Sequence, residues 1–255
     1  MFKDLYKYRE FLKTSIKKEF RGKYKNSFLG VLWSFLNPLC QLLIYALVFP
    51  FILRVDVDNY TMFLVVALIP WTFFNMTVIQ SAASVVANGG IIKKVYFPRE
   101  ILPISVATSN LLNFFITSGL VLIALLISGI GITSSILVLP FVILMQYILQ
   151  LGLAFILSAI TVFVRDVEYI MNIFVMLMFY MCPIVYSSDM IPSNILPLFK
   201  LNPMFHIIGY YREILYFQRI PDFSDMLLLF VVSIIILVVG YKLFNKLQKK
   251  FAEEL

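Results

Sequence analysis

From Ile101 to Val164 the chain carries no Asp, Glu, Lys or Arg. Asn26–Leu53 and Asn59–Ile92 are charge-free as well. Soluble domains carry roughly 25% charged residues; here the figure is 14%, with 61% hydrophobic residues. A helix needs about 20 mostly apolar residues to cross a bilayer. Inside lipid the backbone must satisfy its own hydrogen bonds, which leaves helices or closed barrels. Barrel strands alternate polar and apolar residues over about ten positions. These runs are apolar on every face, so they predict an all-α membrane protein.

One helix over the longest run would be about 96 Å long, so the run holds two spans. The break is Ser128–Ser135, a turn by its Gly and Ser content. Six transmembrane helices follow, at about Val31–Leu53, Tyr60–Ala87, Ile101–Ile127, Ile136–Val164, Tyr169–Tyr186 and Ser224–Lys242. The whole of 1–255 reads as one transmembrane domain.

Residues 1–25 read differently. Leu5, Tyr8, Leu12, Ile16 and Phe20 recur on one helix face, with Lys and Arg over much of the rest. That pattern predicts an amphipathic helix lying in the membrane interface. It lacks the apolar stretch and small-residue cleavage site of a signal peptide.

Residues 187–222 contain Pro192, Pro197, Pro203 and Pro221 yet are rich in apolar residues. Met204, Ile207, Ile208, Tyr211, Ile214 and Leu215 share a face of a helix about 20 Å long, too short to span. Two short re-entrant helices in the outer leaflet are predicted, with a turn near Lys200–Pro203.

Of the 21 Lys and Arg residues, 17 fall on one side of this topology. They lie in the N-terminal helix, the 88–100 loop, the 165–168 loop and the 243–255 tail with its flanking Lys242. Basic residues mark the cytoplasmic side, so both termini are expected there. The net charge of +7 is accounted for by the membrane surface, with no nucleic-acid partner.

The chain shows no catalytic constellation. His206 is the only histidine, which excludes histidine-based relays and metal clusters, and no metal site is expected. Cys40 and Cys182 fall in separate apolar segments and read as small hydrophobes. No Gly-x-x-x-x-Gly-Lys-[Ser/Thr] loop is present, so any ATP would be bound by another chain. A membrane-embedded transferase would need polar catalytic groups near its spans. A proton-coupled transporter would be expected to place ionisable residues inside them.

The local motifs are more specific. They are Lys23-Tyr-Lys-Asn-Ser-Phe-Leu-Gly-Val-Leu-Trp33 with Asn37-Pro38-Leu39, then Leu68-Ile-Pro-Trp-Thr-Phe-Phe74 and Ile91-Ile-Lys-Lys-Val-Tyr-Phe-Pro-Arg-Glu100. Val162-Phe-Val-Arg-Asp-Val167 follows, then Cys182-Pro-Ile-Val-Tyr186, and finally Leu201-Asn-Pro-Met204 with Tyr211-Arg212. Taken in order, they resemble the ABC-2 type polysaccharide exporter permeases, which export O-antigen, teichoic acid or capsule chains. Cys182 departs from the serine expected there.

The resemblance implies an exporter subunit in the bacterial cytoplasmic (inner) membrane. It implies a second copy of the chain and two ATP-binding cassette subunits as partners. Those subunits would bind ATP and Mg, with no cofactor in this chain. The substrate would be a lipid-linked polysaccharide held among membrane lipids. Leu29, Gly30 and Trp33 would lie at the cytoplasmic substrate entrance. Ile91, Lys93, Lys94, Tyr96, Phe97 and Arg99 would form a coupling helix in the ATPase, with Arg165 and Asp166 as a second contact. An ABC-2 drug or small-lipid exporter is the alternative within the same superfamily.

The spans are rich in aromatics, including Phe35, Tyr45, Phe49, Phe174, Phe179, Tyr180 and Tyr186. Sugars stack on aromatic faces with little sequence specificity. Tyr45, Phe49, Phe174, Phe179 and Tyr180 are therefore candidates for a belt lining a polysaccharide channel.

Overall fold

The computed structural model describes residues 6–22, 28–53 and 58–255. Expectations resting on Leu5, on Lys23 to Ser27 and on Arg54 lie outside the described residues. Among the described residues there are helices and turns and no strand.

The N-terminal helix α1 spans Arg9–Gly22, and α2 spans Trp33–Leu53 after a 3-10 turn at Gly30–Leu32. Next come α3 (Tyr60–Ala83), a short α4 (Gly89–Ile92), α5 (Ile101–Ile127) and α6 (Leu139–Phe163). They are followed by α7 (Val167–Tyr180), α8 (Leu196–Lys200), α9 (Pro203–Leu215), α10 (Phe223–Leu247) and α11 (Phe251–Glu254). Among the described residues four helical stretches are long and apolar enough to cross a membrane: Tyr60–Ala83, Ile101–Ile127, Ser134–Phe163 and Phe223–Glu254.

The expected turn between the third and fourth spans is present. Gly129 and Gly131 both take φ of +80°, the left-handed region that glycine enters without a Cβ clash. The expected fifth span is shorter than the sequence suggests. α7 has 14 residues, about 21 Å of rise against about 30 Å of hydrocarbon. Pro183 lacks an N–H and restrains the residue before it, so the chain leaves the helix just ahead of it. The predicted turn between two short helices falls at Leu201–Asn202, where Asn202 Oδ1 accepts from the Met204 amide at 3.0 Å and caps α9.

The core is built on α3. Phe63, Leu64, Val66, Ala67, Leu68, Trp71, Phe73 and Phe74 are all buried. α5, α6, α7 and α9 pack around it. A polar relay crosses this apolar centre. Gln146 of α6 donates through Nε2 to the Pro70 carbonyl of α3 at 2.8 Å. Tyr211 of α9 donates to Gln146 Oε1 at 2.9 Å.

α6 and α10 form the closest helix pair, crossing at Gly152 and Gly240. A Cβ on Gly152 would sit 2.7 Å from the Leu237 amide nitrogen, and one on Gly240 would fall on the Gly152 carbonyl oxygen. Small residues let backbones approach where lipid supplies no hydrophobic drive for association. α1 lies across one end of the bundle, its Tyr8, Phe11 and Leu12 packed on a second core around Phe97, Phe155, Phe244 and Phe251. Its basic residues Lys7, Arg9, Lys13, Lys17, Lys18 and Arg21 point outward, as the amphipathic pattern predicts.

Two outcomes follow for stability in detergent. Gly152→Ala and Gly240→Ala should each cost about 1–3 kcal/mol through overpacking. Gly119→Ala, with open space around it, should cost nothing. Gln146→Leu keeps the volume but strands the Tyr211 hydroxyl and removes the bond to the Pro70 carbonyl, and should cost about 0.6–1.7 kcal/mol. Thermal unfolding of the purified variants measures all four.

Candidate functional site

The expected coupling residues gather at the end of the bundle that carries α1 and the 88–100 loop. Lys18 Nζ donates to Asn88 Oδ1 at 2.9 Å, and Asn88 Nδ2 to the Ser84 carbonyl at 2.8 Å. Arg99 donates to the Gln248 carbonyl and lies over the Phe251 ring. Gln248 Nε2 in turn donates to Glu100 Oε1 at 3.1 Å. The loop is thus tied to α1 on one side and to the end of α10 on the other.

The structure divides Tyr96 from Phe97. Phe97 is buried, 4.8 Å from Phe11 centroid to centroid. Tyr96 is 90% exposed, with Ile91, Lys93, Lys94 and Val95 also outside. Phe97 therefore wedges the loop into its own protein, and Tyr96 stands on its surface. Arg165 and Asp166 are exposed in the turn between α6 and α7. Leu29 and Gly30 are half-buried at the start of α2, with Gly30 at φ +49° and Trp33 exposed.

The aromatic candidates separate too. Phe179 is buried, with the rings of Tyr45, Trp71 and Tyr180 at 5.9, 5.7 and 5.4 Å. Tyr45 also accepts from Gln41 Nε2 at 3.0 Å. Tyr180 and Phe174 stand exposed on α7, and the side chain of Phe49 lies outside the described residues. Tyr45, Phe179 and Tyr180 come together, while Phe174 stands apart from this group. Trp71, which completes it, was not among the sequence-derived candidates.

At the opposite end three sequence motifs converge. Arg212 of α9 donates to the carbonyls of Ile184 at 2.6 Å and Tyr186 at 3.3 Å. Its guanidinium lies 3.5 Å from the centroid of the Phe63 ring. Asn202 Nδ2 reaches Cys182 Sγ at 3.1 Å, and Tyr60 donates to the Val185 carbonyl at 2.6 Å. The Cys182–Tyr186, Leu201–Met204 and Tyr211–Arg212 segments are therefore one structural unit. Cys182 is fully buried, as its apolar setting predicts. His206 shares its Nε2 with the Lys200 carbonyl at 2.9 Å.

Beside this unit, Asp222 caps α10 by accepting from the amides of Ser224 and Asp225 at 2.8 and 3.3 Å. The Ser224 hydroxyl and these amides hold its carboxyl below the usual range. Sequence reasoning singled out neither Gln146 nor the acidic residues here. For Gln146 the available signal was a pair of amides, Gln146 and Gln150, one turn apart inside a charge-free span.

Comparison with known proteins fits this arrangement. The family model described as ABC-2 type transporter matches residues 10–216. The O-antigen export system permease protein RfbA of Myxococcus xanthus is 33% identical, over 100% of this chain and 99% of its own length. The O-antigen export system permease protein RfbA of Klebsiella pneumoniae is 36% identical, over 92% of this chain and 91% of its own. The chain belongs to the ABC-2 type transporter family.

Proposed function

We propose that this chain is the transmembrane subunit of an ATP-driven exporter that moves a lipid-linked polysaccharide from the cytoplasm to the outer side of the bacterial inner membrane. Its similarity over nearly its whole length to permeases named for O-antigen export carries this reading. Two copies of the chain enclose the path, and separate ATPase subunits bind and hydrolyse ATP. α2, α3, α5, α6, α7 and α10 cross the membrane, with both termini cytoplasmic as the 17 basic residues on that side favour. α7 meets the outer surface through the turn at Cys182–Tyr186, and α8 and α9 stay within the outer leaflet.

On this reading the 88–100 loop receives the ATPase. The short α4 with Ile91, and the turn after it with Val95 and Tyr96, present an apolar surface that suits a groove on a soluble partner. Its connections through Phe97 to α1 and through Arg99 to α10 would carry a push from below into the bundle. The exposed Phe174 and Tyr180, with the half-buried Tyr45, offer sliding faces to sugars, and Phe179 packs behind them against Trp71.

Tyr96→Asp should reduce co-purification of the ATPase subunit about ten-fold or more, as loss of an aromatic anchor does. Insertion and thermal stability of the permease should not change, because Tyr96 packs on nothing internal. Undiminished ATPase binding would remove the coupling role from this residue.

The aromatic surface has its own test. Phe174→Leu combined with Tyr180→Leu alters exposed positions and should leave stability intact. Aromatic stacking is worth about 1–3 kcal/mol per contact in nucleic-acid grooves, so export measured by surface polysaccharide should slow several-fold. Export at the normal rate would assign these residues to lipid or to the second copy.

A further inference from the structure

At the end of the bundle remote from the 88–100 loop lies a cleft of about 280 Å³. One wall is aromatic: Phe63, Phe205, Tyr210 and Phe217 all line it. The first three are buried, while Phe217 is 50% exposed at the rim. Apart from Pro183 and Gly209 the rest of the lining is polar, and it carries four carboxylates, Asp189, Glu213, Asp222 and Asp225.

The cations beside them are already engaged. Arg219 pairs with Glu213 at 3.3 Å. Arg212 is spent on two carbonyls and the Phe63 face. Two negative charges therefore remain in excess. The Asp225 carboxylate has no partner among the described residues, and Asp189 accepts only from Ser187 at 3.3 Å. Two further polar groups lack partners among the described residues although their residues are more than nine-tenths buried: the Tyr210 hydroxyl and the Arg212 Nε. A buried polar atom without a partner is costly, and its presence at a cleft points to a ligand group.

Aromatic faces beside unpaired carboxylates match an uncharged polyol. Its C–H face covers the open side of the Phe217 ring, whose other side meets the Arg219 guanidinium at 5.1 Å, and its hydroxyls donate to the carboxylates and exchange bonds with Tyr210. An anionic ligand would be desolvated against four carboxylates, with only two arginines in the lining and both already engaged. Resting on the export reading above, we infer that this cleft is a sugar-binding subsite on the outer side, and that it favours a neutral repeating unit over a uronic acid or phosphodiester one.

Saturation-transfer NMR on the permease–ATPase complex in nanodiscs tests this with defined probes. The neutral oligosaccharides maltotetraose and mannotetraose should receive saturation from the wild type, and tetragalacturonate should not. Phe217→Leu and Asp225→Asn should each weaken neutral binding about five-fold, the low end of losses on removing one stacking or polar contact. Asp225→Lys should make tetragalacturonate visible. Phe217 is at the rim, so its variant decides the matter if the Asp225 variants fail to assemble. Equal transfer to neutral and anionic probes, no transfer to either neutral probe, or neutral binding unchanged by Phe217→Leu would overturn the cleft assignment. ATP-dependent surface polysaccharide from the wild-type complex, measured in parallel, separates the two readings. Its absence would refute export itself, while normal export without neutral binding refutes only the cleft.

Discussion

Gln146 bonds three helices around the centre of the bundle into a single object. Its amide donates to α3 at Pro70 and accepts from α9 at Tyr211. Dispersion packing holds the neighbouring apolar side chains, but it does not choose between close alternatives of helix register. A buried amide does, because a shifted register leaves donor and acceptor unpaired in a medium without water. The relay thus fixes the depth of α9 against α3 and α6, and everything at that end of the molecule is built from α9.

Arg212 shows what that placement makes possible. The guanidinium is buried and makes no ion pair among the described residues. Two carbonyls of the Cys182–Tyr186 turn and the face of Phe63 receive it instead. A buried charge is tolerated when dipoles replace its lost hydration, and a cation over an aromatic face gains more when desolvated. The cost of burial explains why the turn, the Asn202 cap and α9 occur together. Each alone would leave Arg212 or the turn carbonyls unsatisfied.

The charge-free runs made the long helices legible, because lipid leaves the backbone few choices. The third span begins and ends where the sequence places it, and the glycine break after it follows from turn chemistry. α7 was harder. An all-apolar segment gives no period by which to see its end, and Pro183 was the only local marker. The Gly152–Gly240 crossing was illegible because a glycine in an apolar span says nothing about its opposite number. Tyr96 and Phe97 were inseparable for a similar reason. Adjacent aromatics in a short loop look alike until the Phe11 ring decides which one turns inward. The aromatic candidates suffered in the same way, since Phe179 and Tyr180 sit side by side yet face core and surface.

The division between Tyr96 and Phe97 also bears on how force could pass through the protein. A loop that docks on a motor but floats against its own bundle would absorb motion. Here the exposed residues of the loop are separated by one peptide unit from a buried ring in the core shared by α1, α5, α6 and α10. The Arg99 and Glu100 contacts with Gln248 add a second attachment. α10 in turn meets α6 backbone to backbone at Gly152 and Gly240, where no side chain is available to yield. α6 carries Gln146, which bonds α3 and, through Tyr211, α9. A displacement of the loop therefore meets stiff contacts from one end of the bundle to the other. α2 and the exposed face of α7, which carry the aromatic candidates, lie outside this chain of contacts and meet it through Tyr45 and Phe179.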